Sequence, residues 1–472
     1  LVAAYEFGAL ALLLALLWRR PLALRPAPAR TWGWLATLLF FACLLRLPGL
    51  GYTEFHIDEV EVLRRARWAL LGVDDVLTVH TKGPGEIAVA AAVYRALGTA
   101  TEATARLPFA LLGVASVLAT ALLGRRLFSA SAGFWAGLLL AANGFALGPS
   151  RMVQYQSAVL LLSVLAVWCA WEFARQGEPR WLALAAVFAA FGLVMHYELA
   201  LLAPALLLLA WAGWRRAPDR GAVLQVALFC ALAGGLLLAA AYLPPLLSPH
   251  MAKTQRLLGR RLGGLGALNL ASVLHMGTFY NAIYFFAGLI LLVVAGLVVG
   301  WRTARRRTLL LVLWFLPFFT LQILVMEQPG AHYYIFMPSW SLLAALPLSA
   351  LTQSRAMRPV LRWAALALVA LWLAVSAGYL YLAFFRQAPE YIANYPETRL
   401  PFYWTAYGDD PPLEPRLGFP LQEGWKVPGT LAQWGCLRGT FASNEGSRHH
   451  RGWYLTGLEQ VKFEESPDLV LV

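Results

Sequence analysis

Long apolar runs recur along this chain, and the connections between them alternate in charge. The runs lie near 2–18, 32–50, 105–124, 132–149, 157–173, 181–197, 199–214, 221–243, 283–300, 308–326, 333–351 and 363–385. One bilayer crossing takes about 20 mostly apolar residues. Because the 472 residues are also 60% hydrophobic and only 13% charged, the chain is predicted to be a polytopic α-helical membrane protein with about 12 transmembrane helices.

Arginine is concentrated in every second connection. These six connections hold 18 arginines and only two acids, Glu178 and Asp219. The arginines are Arg19, Arg20, Arg25 and Arg30; Arg125 and Arg126; Arg175 and Arg180; Arg215, Arg216 and Arg220; Arg302, Arg305, Arg306 and Arg307; and Arg355, Arg358 and Arg362. Basic residues mark the cytoplasmic ends of spans. The net charge of +13 therefore sets orientation and is not a nucleic-acid patch.

This charge pattern predicts a multi-pass protein of the cytoplasmic (inner) membrane with three long extracytoplasmic segments. Residues 1–386 form the transmembrane domain, which includes a first outer loop, 51–104, and a basic outer loop, 244–282. Residues 387–472 read as a small extracytoplasmic α/β module, because stretches such as "GFPLQEGWKVPG" alternate with short apolar segments.

The first apolar run and the four cysteines bear on the predicted architecture. The run at 2–18 lacks a basic start and a small-residue cleavage site, so it is predicted to be a true span and not a signal peptide. The four cysteines predict neither a disulfide framework nor a zinc site, since three fall within spans and Cys436 is alone outside. No metal cofactor is implied, although a divalent metal is left open.

An acidic cluster follows directly on the second apolar run. Within the stretch "GYTEFHIDEVEVLRRARWALLG", residues 51–72, the part "DEVEVLRRARWALLG" predicts a helix along the membrane surface. Asp58 and Glu59 have two readings. They are the acids that favour the first turn of a helix, or one of them is a general base for attack on a lipid-borne electrophile. His56, two residues earlier, tunes this pair or is a simple surface histidine.

Cationic candidates lie in both large outer loops. In "VHTKGPG", His80 and Lys82 precede a Gly-Pro-Gly turn that would position the lysine; the alternative is a solvated lysine. Lys253, Arg260 and Arg261 lie on the side where basic residues are not needed for orientation. They are predicted to hold a lipid phosphate or diphosphate, and the alternative is ordinary contact with phospholipid headgroups.

Polar residues recur where later spans reach the same outer side. They are Arg151 and Tyr155 in "PSRMVQYQ", His196 and Tyr197 in "MHYE", and His332 in "EQPGAHYY". Ionisable groups at membrane depth are costly and face a cavity or a partner, although tyrosines also line membrane interfaces. The inner connections carry only topological arginines. This asymmetry predicts an outward-facing active site with these residues, His56 and His80 in its pocket.

These segments, in order, resemble the GT-C superfamily of polyprenyl-phosphate-dependent glycosyltransferases. "HIDEVEV" is similar to its acidic motif, "HTKGPGEIAVAAAVYRALG" to its "KPP…LFG" surface helix, and "ARLPFALLGVASVLATALLGRRLF" to its "RLPSALLG…GRRLFG" span. "SRMVQYQSAVLLLSVLA", "HYE", "TFYNAIY" and "HYYIFMPSWSLLAA" resemble later segments. The branch most similar contains protein O-mannosyltransferases and bacterial aminoarabinose transferases, and the resemblance covers roughly residues 32–350.

The resemblance implies a donor sugar on a polyprenyl phosphate and a lipid, glycan or protein acceptor. Asp58 then corresponds to the catalytic base and Glu59 to an acid that supports or orients it. Lys82 matches the family's lysine, but Gly83 stands where the first proline is usual. The implied reaction is a single inverting displacement at the outer face.

Further pocket and phosphate-binding residues follow from the same resemblance. "TFYNAIY" adds Tyr280 and Asn281 to the substrate pocket, and Arg260 and Arg261 are the nearest matches to the arginines that bind the lipid phosphate.

Three other classes stay open at this point. A transporter would place its site near mid-membrane among internal repeats. A lipid-linked oligosaccharide ligase would also act at the outer face. A non-catalytic subunit of a membrane complex would keep the fold without turnover. All of them imply membrane lipids as partners, and none implies nucleic acid.

Overall fold

The structure, a computed structural model, describes residues 29–73, 75–80, 82–252, 255–256, 259, 270–326, 332–386, 417–419, 424–443 and 448–471. Its α-helices within the apolar runs are α1 (Ala29–Arg46), α5 (Glu102–Leu127), α6 (Ala130–Ala141), α7 (Gly144–Leu147), α8 (Gln156–Gln176), α9 (Pro179–Met195), α10 (Ala203–Arg216), α11 (Arg220–Leu247), α13 (Ile283–Thr303), α14 (Arg305–Thr320), α15 (Met337–Gln353) and α16 (Pro359–Phe384). The helices between and after them are α2 (Ile57–Leu70), α3 (Val76–Val79), α4 (Gly85–Leu97), α12 (Leu270–Tyr280), α17 (Lys426–Gln433) and α18 (Arg448–Tyr454).

Eight helical segments of the described chain are long and apolar enough to cross a membrane. They are Glu102–Leu127, Gln156–Gln176, Tyr197–Arg216, Arg220–Leu247, Ile283–Thr303, Arg305–Val325, His332–Gln353 and Pro359–Phe384. The shorter apolar helices Trp32–Arg46 and Pro179–Met195 fall on two further predicted runs. The prediction of a polytopic helical membrane protein is therefore confirmed. The count of twelve stays a prediction, since run 2–18 lies outside the described residues.

The run expected at 132–149 is bent and not one straight helix. α6 ends at Ala141, and the pair Ala130–Ala141 and Gly144–Arg151 turns by 72°. Asn143 caps the start of the next helix, α7, because its side-chain oxygen accepts a hydrogen bond from the amide of Phe145 at 2.9 Å. The break brings residues 148–155 into the protein interior, where most of them are buried.

The bundle has a buried centre and an apolar outer surface. α6, α8 and α15 lie at the centre, and α6 approaches α5 so closely that a Cβ on Gly133 would lie 2.3 Å from the carbonyl oxygen of Ala121. α11 and α16 instead expose large apolar side chains such as Phe229 and Leu368. In a membrane protein such faces meet lipid and do not need a protein partner.

The helices α2, α3 and α4 lie together on one side of the bundle, in the connection between α1 and α5. Helices are therefore present in this connection, and their placement along the membrane surface stays a prediction. We call this side of the bundle the loop side. Buried Val60, Leu63, Ile87 and Phe109 pack in one cluster there, so the loop-side helices have an apolar core of their own.

The residues described after 424 form a small α/β unit, which we call the C-terminal unit. Its strands β1 (Thr440–Ser443), β2 (Glu459–Gln460) and β3 (Leu469–Leu471) make a parallel sheet in the order β2-β1-β3. Parallel neighbours need crossover connections, and α18 lies in the first of these. The unit packs on α2 through buried Trp425, Phe441 and Leu455. The predicted boundary at residue 387 lies outside the described residues.

Candidate functional site

The acidic cluster begins α2 with a capping box around His56. Nδ1 of His56 accepts a hydrogen bond from the amide of Asp58 at 3.2 Å, and the amide of His56 donates to Oε2 of Glu59 at 2.8 Å. Such reciprocal bonds fix the first turn of a helix. The predicted pocket residue His56 therefore shapes the backbone that carries Asp58.

Glu59 is fully buried and its carboxylate is occupied. Oε1 accepts from Nε of Arg106 at 2.8 Å and from the amide of Val153 at 2.9 Å, and Oε2 accepts from Nη2 of Arg106 at 2.7 Å. The bond from His56 is the fourth. A carboxylate offers about four lone-pair sites, so Glu59 is arranged to hold the helix in place and not to take a proton.

Asp58 differs from its neighbour in both exposure and contacts. Its side chain is 38% exposed, and Oδ2 lies 4.0 Å from Nδ1 of His56. Within the part of the chain that the structure describes, its carboxylate accepts no hydrogen bond. Of the two adjacent acids, Asp58 is the one with free lone pairs facing outward, as a general base requires.

Tyr155 and His196 form an aromatic wall beside these acids. Their rings stack with centroids 4.1 Å apart and planes within 7°. Burial, followed by the charges of Glu198, Glu86 and Asp58 among others, raises the pKa of Tyr155 well above its ordinary value. Asp58 is thus close enough to this wall to act on it electrostatically.

Lys82 lies on the face of the same wall. Its Nζ is 5.7 Å from the ring centroid of Tyr155, a cation–π distance. The carbonyl oxygen of Lys82 accepts a hydrogen bond from the hydroxyl of Tyr242 at 3.1 Å. Within the described residues its ammonium group has no carboxylate partner, which leaves it available to an anion.

The turn after Lys82 explains the glycine at position 83. Gly83 has φ of +144°, and a Cβ there would lie 2.4 Å from the carbonyl oxygen of Val194. Proline fixes φ near −65°, so it cannot occupy this backbone conformation. In this chain the close approach to α9, and not a proline, fixes the position of Lys82.

His80, two residues before Lys82, is buried and contacts Arg65 of α2 and Glu86 of α4. Its Nε2 is 3.1 Å from Oε1 of Glu86, and its Nδ1 contacts Nη1 of Arg65, which also contacts Glu61. Glu86 in turn accepts a hydrogen bond from the amide of Tyr155 at 3.1 Å. His80 therefore connects α2 and α4.

A second carboxylate, Glu198, extends the aromatic wall. It accepts a hydrogen bond from the hydroxyl of Tyr334 at 3.0 Å, contacts Nδ1 of His332, and lies 3.6 Å from Nδ1 of His196. Tyr197 also packs on His196, with ring centroids 4.2 Å apart. His196, Tyr197 and His332 are thereby brought together, and Glu198 is the group that joins them.

The other predicted pocket residues lie in the bent corner around α7. Arg151 is buried, donates to the carbonyl oxygen of Arg46 at 3.1 Å and covers the ring of Phe385. Tyr280 stacks on Phe145, and Oδ1 of Asn281 accepts from the amide of Gly144 at 2.7 Å. Through these contacts the three residues pack within the corner.

The three cations predicted in the basic outer loop, Lys253, Arg260 and Arg261, lie outside the described residues. Within the residues that are described, no group of three or more His, Cys, Asp or Glu side chains has an arrangement that holds a metal ion.

Sequence reasoning missed Arg106 and Glu86. Arg106 stands in "TEATARLPF", inside the first turns of an apolar helix, and Glu86 stands in the helix start after Lys82. A lone charge that enters an apolar segment usually has a buried partner, and this signal points to Arg106.

Part of the chain matches a known family. A model described as dolichyl-phosphate-mannose-protein mannosyltransferase matches residues 82–243, which is 162 of the 472 residues. The match begins at Lys82 and runs through most of α11. No match is found among curated proteins.

Solved membrane glycosyltransferases have a similar structure. ArnT from Cupriavidus metallidurans bound to undecaprenyl phosphate superposes with a TM-score of 0.53 at 18% identity, over 76% of this chain and 66% of that one. The oligosaccharyltransferase of Archaeoglobus fulgidus in the apo form gives 0.52 at 13%, over 91% and 64%. AglB from that organism, with an inhibitory peptide and a dolichol-phosphate, gives 0.50 at 14%, over 90% and 63%.

This chain thus spans about two thirds of the length of those proteins. The resemblance predicted from the motifs is confirmed at the level of architecture. The chain has the fold of the GT-C superfamily of membrane glycosyltransferases.

Proposed function

We propose that this protein is an inverting glycosyltransferase that moves a monosaccharide from a polyprenyl-phosphate donor to an acceptor. The reaction takes place on the loop side, which in this proposal is the extracytoplasmic face of the cytoplasmic membrane. One observation carries the proposal above the others: Asp58 has a free, partly exposed carboxylate on a helix start that Glu59 and Arg106 hold in place.

Asp58 is the base in this reaction. It takes the proton from an acceptor hydroxyl or amine as that atom forms its bond to the anomeric carbon of the sugar. The bond from this carbon to the phosphate oxygen breaks on the opposite face, and its electron pair leaves with the polyprenyl phosphate. The 38% exposure of the Asp58 side chain gives the proton a path to water afterwards.

Lys82 is the group that meets the donor phosphate. An ammonium ion without a carboxylate partner offers charge-assisted hydrogen bonds to phosphate oxygens, and it stabilises the charge that grows on the leaving group. Lys253, Arg260 and Arg261 remain further candidates for this role. Because a phosphate is already a good leaving group, one carboxylate suffices, in contrast to glycoside hydrolysis with its paired acids.

The wall of Tyr155, Tyr197 and His196, with Glu198 and His332 behind it, lines the sugar side of the site in this proposal. Neutral aromatic rings cover the apolar faces of a sugar, and a buried carboxylate accepts hydrogen bonds from its hydroxyls. Two of the similar structures support a lipid-linked donor, since that ArnT is bound to undecaprenyl phosphate and that AglB is in complex with a dolichol-phosphate.

The test is turnover of a panel of polyprenyl-phosphate monosaccharides and the matching polyprenyl-diphosphate sugars by the purified full chain in lipid nanodiscs. Membrane extract serves as the acceptor source, and the free polyprenyl phosphate or diphosphate is the readout. We expect release from at least one donor, with the anomeric configuration inverted in the product. Release from diphosphate donors alone would contradict the proposal and favour a ligase, and no release from any donor would favour a non-catalytic subunit.

A further inference from the structure

The C-terminal unit makes polar contacts with Glu102 of α5 and with residues 51–55, the segment that directly precedes the acidic helix α2. This segment, which we call the entry segment, ends three residues before Asp58. The contacts come from Tyr454 of α18 and Lys426 of α17, far away in sequence. They join the unit to the part of the chain that delivers the proposed base.

Tyr454 bridges the entry segment to α5. Its hydroxyl accepts a hydrogen bond from the amide of Phe55 at 2.9 Å and donates one to Oε1 of Glu102 at 2.7 Å. Tyr454 is 7% exposed, and burial together with the charge of Glu102 raises the pKa of its hydroxyl. The hydroxyl therefore stays protonated and keeps both bonds over the physiological pH range.

Lys426 makes a second set of bonds to the same segment. Its amide donates to Oε1 of Glu54 at 3.0 Å, and its Nζ donates to the carbonyl oxygen of Gly51 at 2.6 Å. Nζ also lies 3.7 Å from Oε1 of Glu102. Tyr454 and Lys426 thus both contact the carboxylate of Glu102.

Apolar packing reinforces these bonds. The ring of Phe55 is 1% exposed and meets the ring of Trp453 edge to face, with centroids 5.4 Å apart. Edge-to-face pairs add to the effect of burial alone. The entry segment is consequently anchored to the C-terminal unit by both backbone and side chain.

The membrane domain holds the entry segment from the other side. Nη2 of Arg106 donates to the carbonyl oxygen of Glu54 at 2.6 Å, and Nη1 donates to those of Leu50 and Thr53 at 2.8 and 3.0 Å. Glu102 and Arg106 lie one turn apart on α5. This single helix therefore supplies the group that binds the C-terminal unit and the group that binds Glu59.

We infer that the C-terminal unit is a positioning element of the reaction centre, in which Tyr454 and Lys426 fix the entry segment and so set the place of Asp58. The kinetic part of this inference rests on the proposed function. Its physical basis is that a displaced catalytic group loses rate steeply, by about 100-fold for 1 Å. The unit then has a role in turnover as well as any role in recognising an acceptor.

Hydrogen–deuterium exchange tests the structural half without any activity measurement. Tyr454→Phe removes the acceptor of the Phe55 amide and leaves the ring in place. We expect exchange of the peptide that contains Phe55 to become at least about tenfold faster, since one protecting bond is lost, while peptides of α5 exchange as in wild type. Tyr381→Phe is the matched control, because Tyr381 is 59% exposed and lies on α16. Unchanged exchange at Phe55 would overturn the inference.

Kinetic measurements test the role of the C-terminal unit in turnover. In Tyr454→Phe, and in Lys426→Met as a second variant, we expect kcat to fall about tenfold and the KM for the donor to stay within about twofold, because Lys82 is untouched. Faster exchange at Phe55 with an unchanged kcat in both variants would overturn the role in turnover. If wild type transfers no sugar, the proposed function fails, and the exchange result alone decides whether the unit fixes the entry segment.

Discussion

Glu59 and Arg106, 47 positions apart, form a bidentate ion pair that is closed to solvent on both sides. The two bonds are 2.8 and 2.7 Å long, and the side chains are 0% and 3% exposed. This pair fastens the first turn of α2 to the start of α5. It explains why two adjacent acids have different surroundings: Glu59 is bonded and buried, while the side chain of Asp58 is 38% exposed.

Removing the cation of this pair should destabilise the protein strongly. Arg106→Met leaves the carboxylate of Glu59 buried without its partner, at a cost of about 3–5 kcal/mol. We expect a clearly lower melting temperature and a lower folded yield in nanodiscs. Arg67→Met, at an exposed position of α2, is the control and should melt as wild type. An Arg106→Met protein with the wild-type melting temperature would show that the pair contributes little.

Substitution of Lys82 should weaken donor binding. Lys82→Met removes an ammonium group that has no carboxylate partner among the described residues. We expect this to reduce affinity for undecaprenyl phosphate about tenfold, the range of a charge-assisted hydrogen bond. The measurement is titration of the lipid into protein in nanodiscs at fixed ionic strength. Lys462→Met, at an exposed position of the C-terminal unit, should bind as wild type. Equal affinities of the two variants would remove Lys82 from the phosphate site.

Gly83 should not tolerate a side chain. Gly83→Ala introduces a Cβ 2.4 Å from the carbonyl oxygen of Val194 at a φ of +144°, and such strain costs about 1–3 kcal/mol. We expect a lower melting temperature together with a higher KM for the donor, because the turn also places Lys82. Gly235→Ala, where a Cβ meets nothing within 4 Å, is the control. A normal KM in Gly83→Ala would separate this turn from donor binding.

The buried His80 should make stability fall in mild acid. Burial lowers its pKa below the ordinary 6.5, and the facing groups are Arg65, Lys82 and Glu86. Because Nη1 of Arg65 faces Nδ1, the neutral ring carries its proton on Nε2, toward Glu86. Below pH 6.5 the unfolded chain therefore takes up a proton before the folded one, and stability declines until the folded pKa is reached.

The measurement for His80 is the melting temperature of wild type and His80→Gln between pH 7.5 and about pH 5. We expect wild type to lose stability through this range with a steeper slope than the variant. Identical slopes would assign the acid sensitivity to other groups.

The sequence predicted the multi-pass architecture, the one-sided site and the candidates Asp58 and Lys82 for physical reasons. Apolar runs and arginine-rich connections are local sequence signals, so they can be recognised without a structure. The difference between Asp58 and Glu59 cannot be read in this way. Neighbouring residues on a helix point about 100° apart, and only the docking of α2 on α5 decides which one is buried.

Non-local contacts also set the positions of several predicted pocket residues. Arg151, Tyr280 and Asn281 contribute to the packing of the corner that Asn143 creates, which depends on a bend that hydropathy does not register. The pairing of Glu198 with His332 joins segments 134 positions apart. The contacts of Tyr454 and Lys426 with the entry segment join positions about 370–400 residues apart. No local sequence pattern extends over that distance.

The assignment of Asp58 as the base is tested by one comparison of rates. Release of polyprenyl phosphate would be measured under saturating donor for wild type, Asp58→Asn and the exposed-acid control Asp75→Asn, with folding checked by melting temperature and donor affinity by titration. Loss of a general base costs about 100-fold or more. We predict that loss for Asp58→Asn, with unchanged melting and donor affinity, and wild-type rates for Asp75→Asn. An Asp58→Asn enzyme that turns over at the wild-type rate would contradict the account.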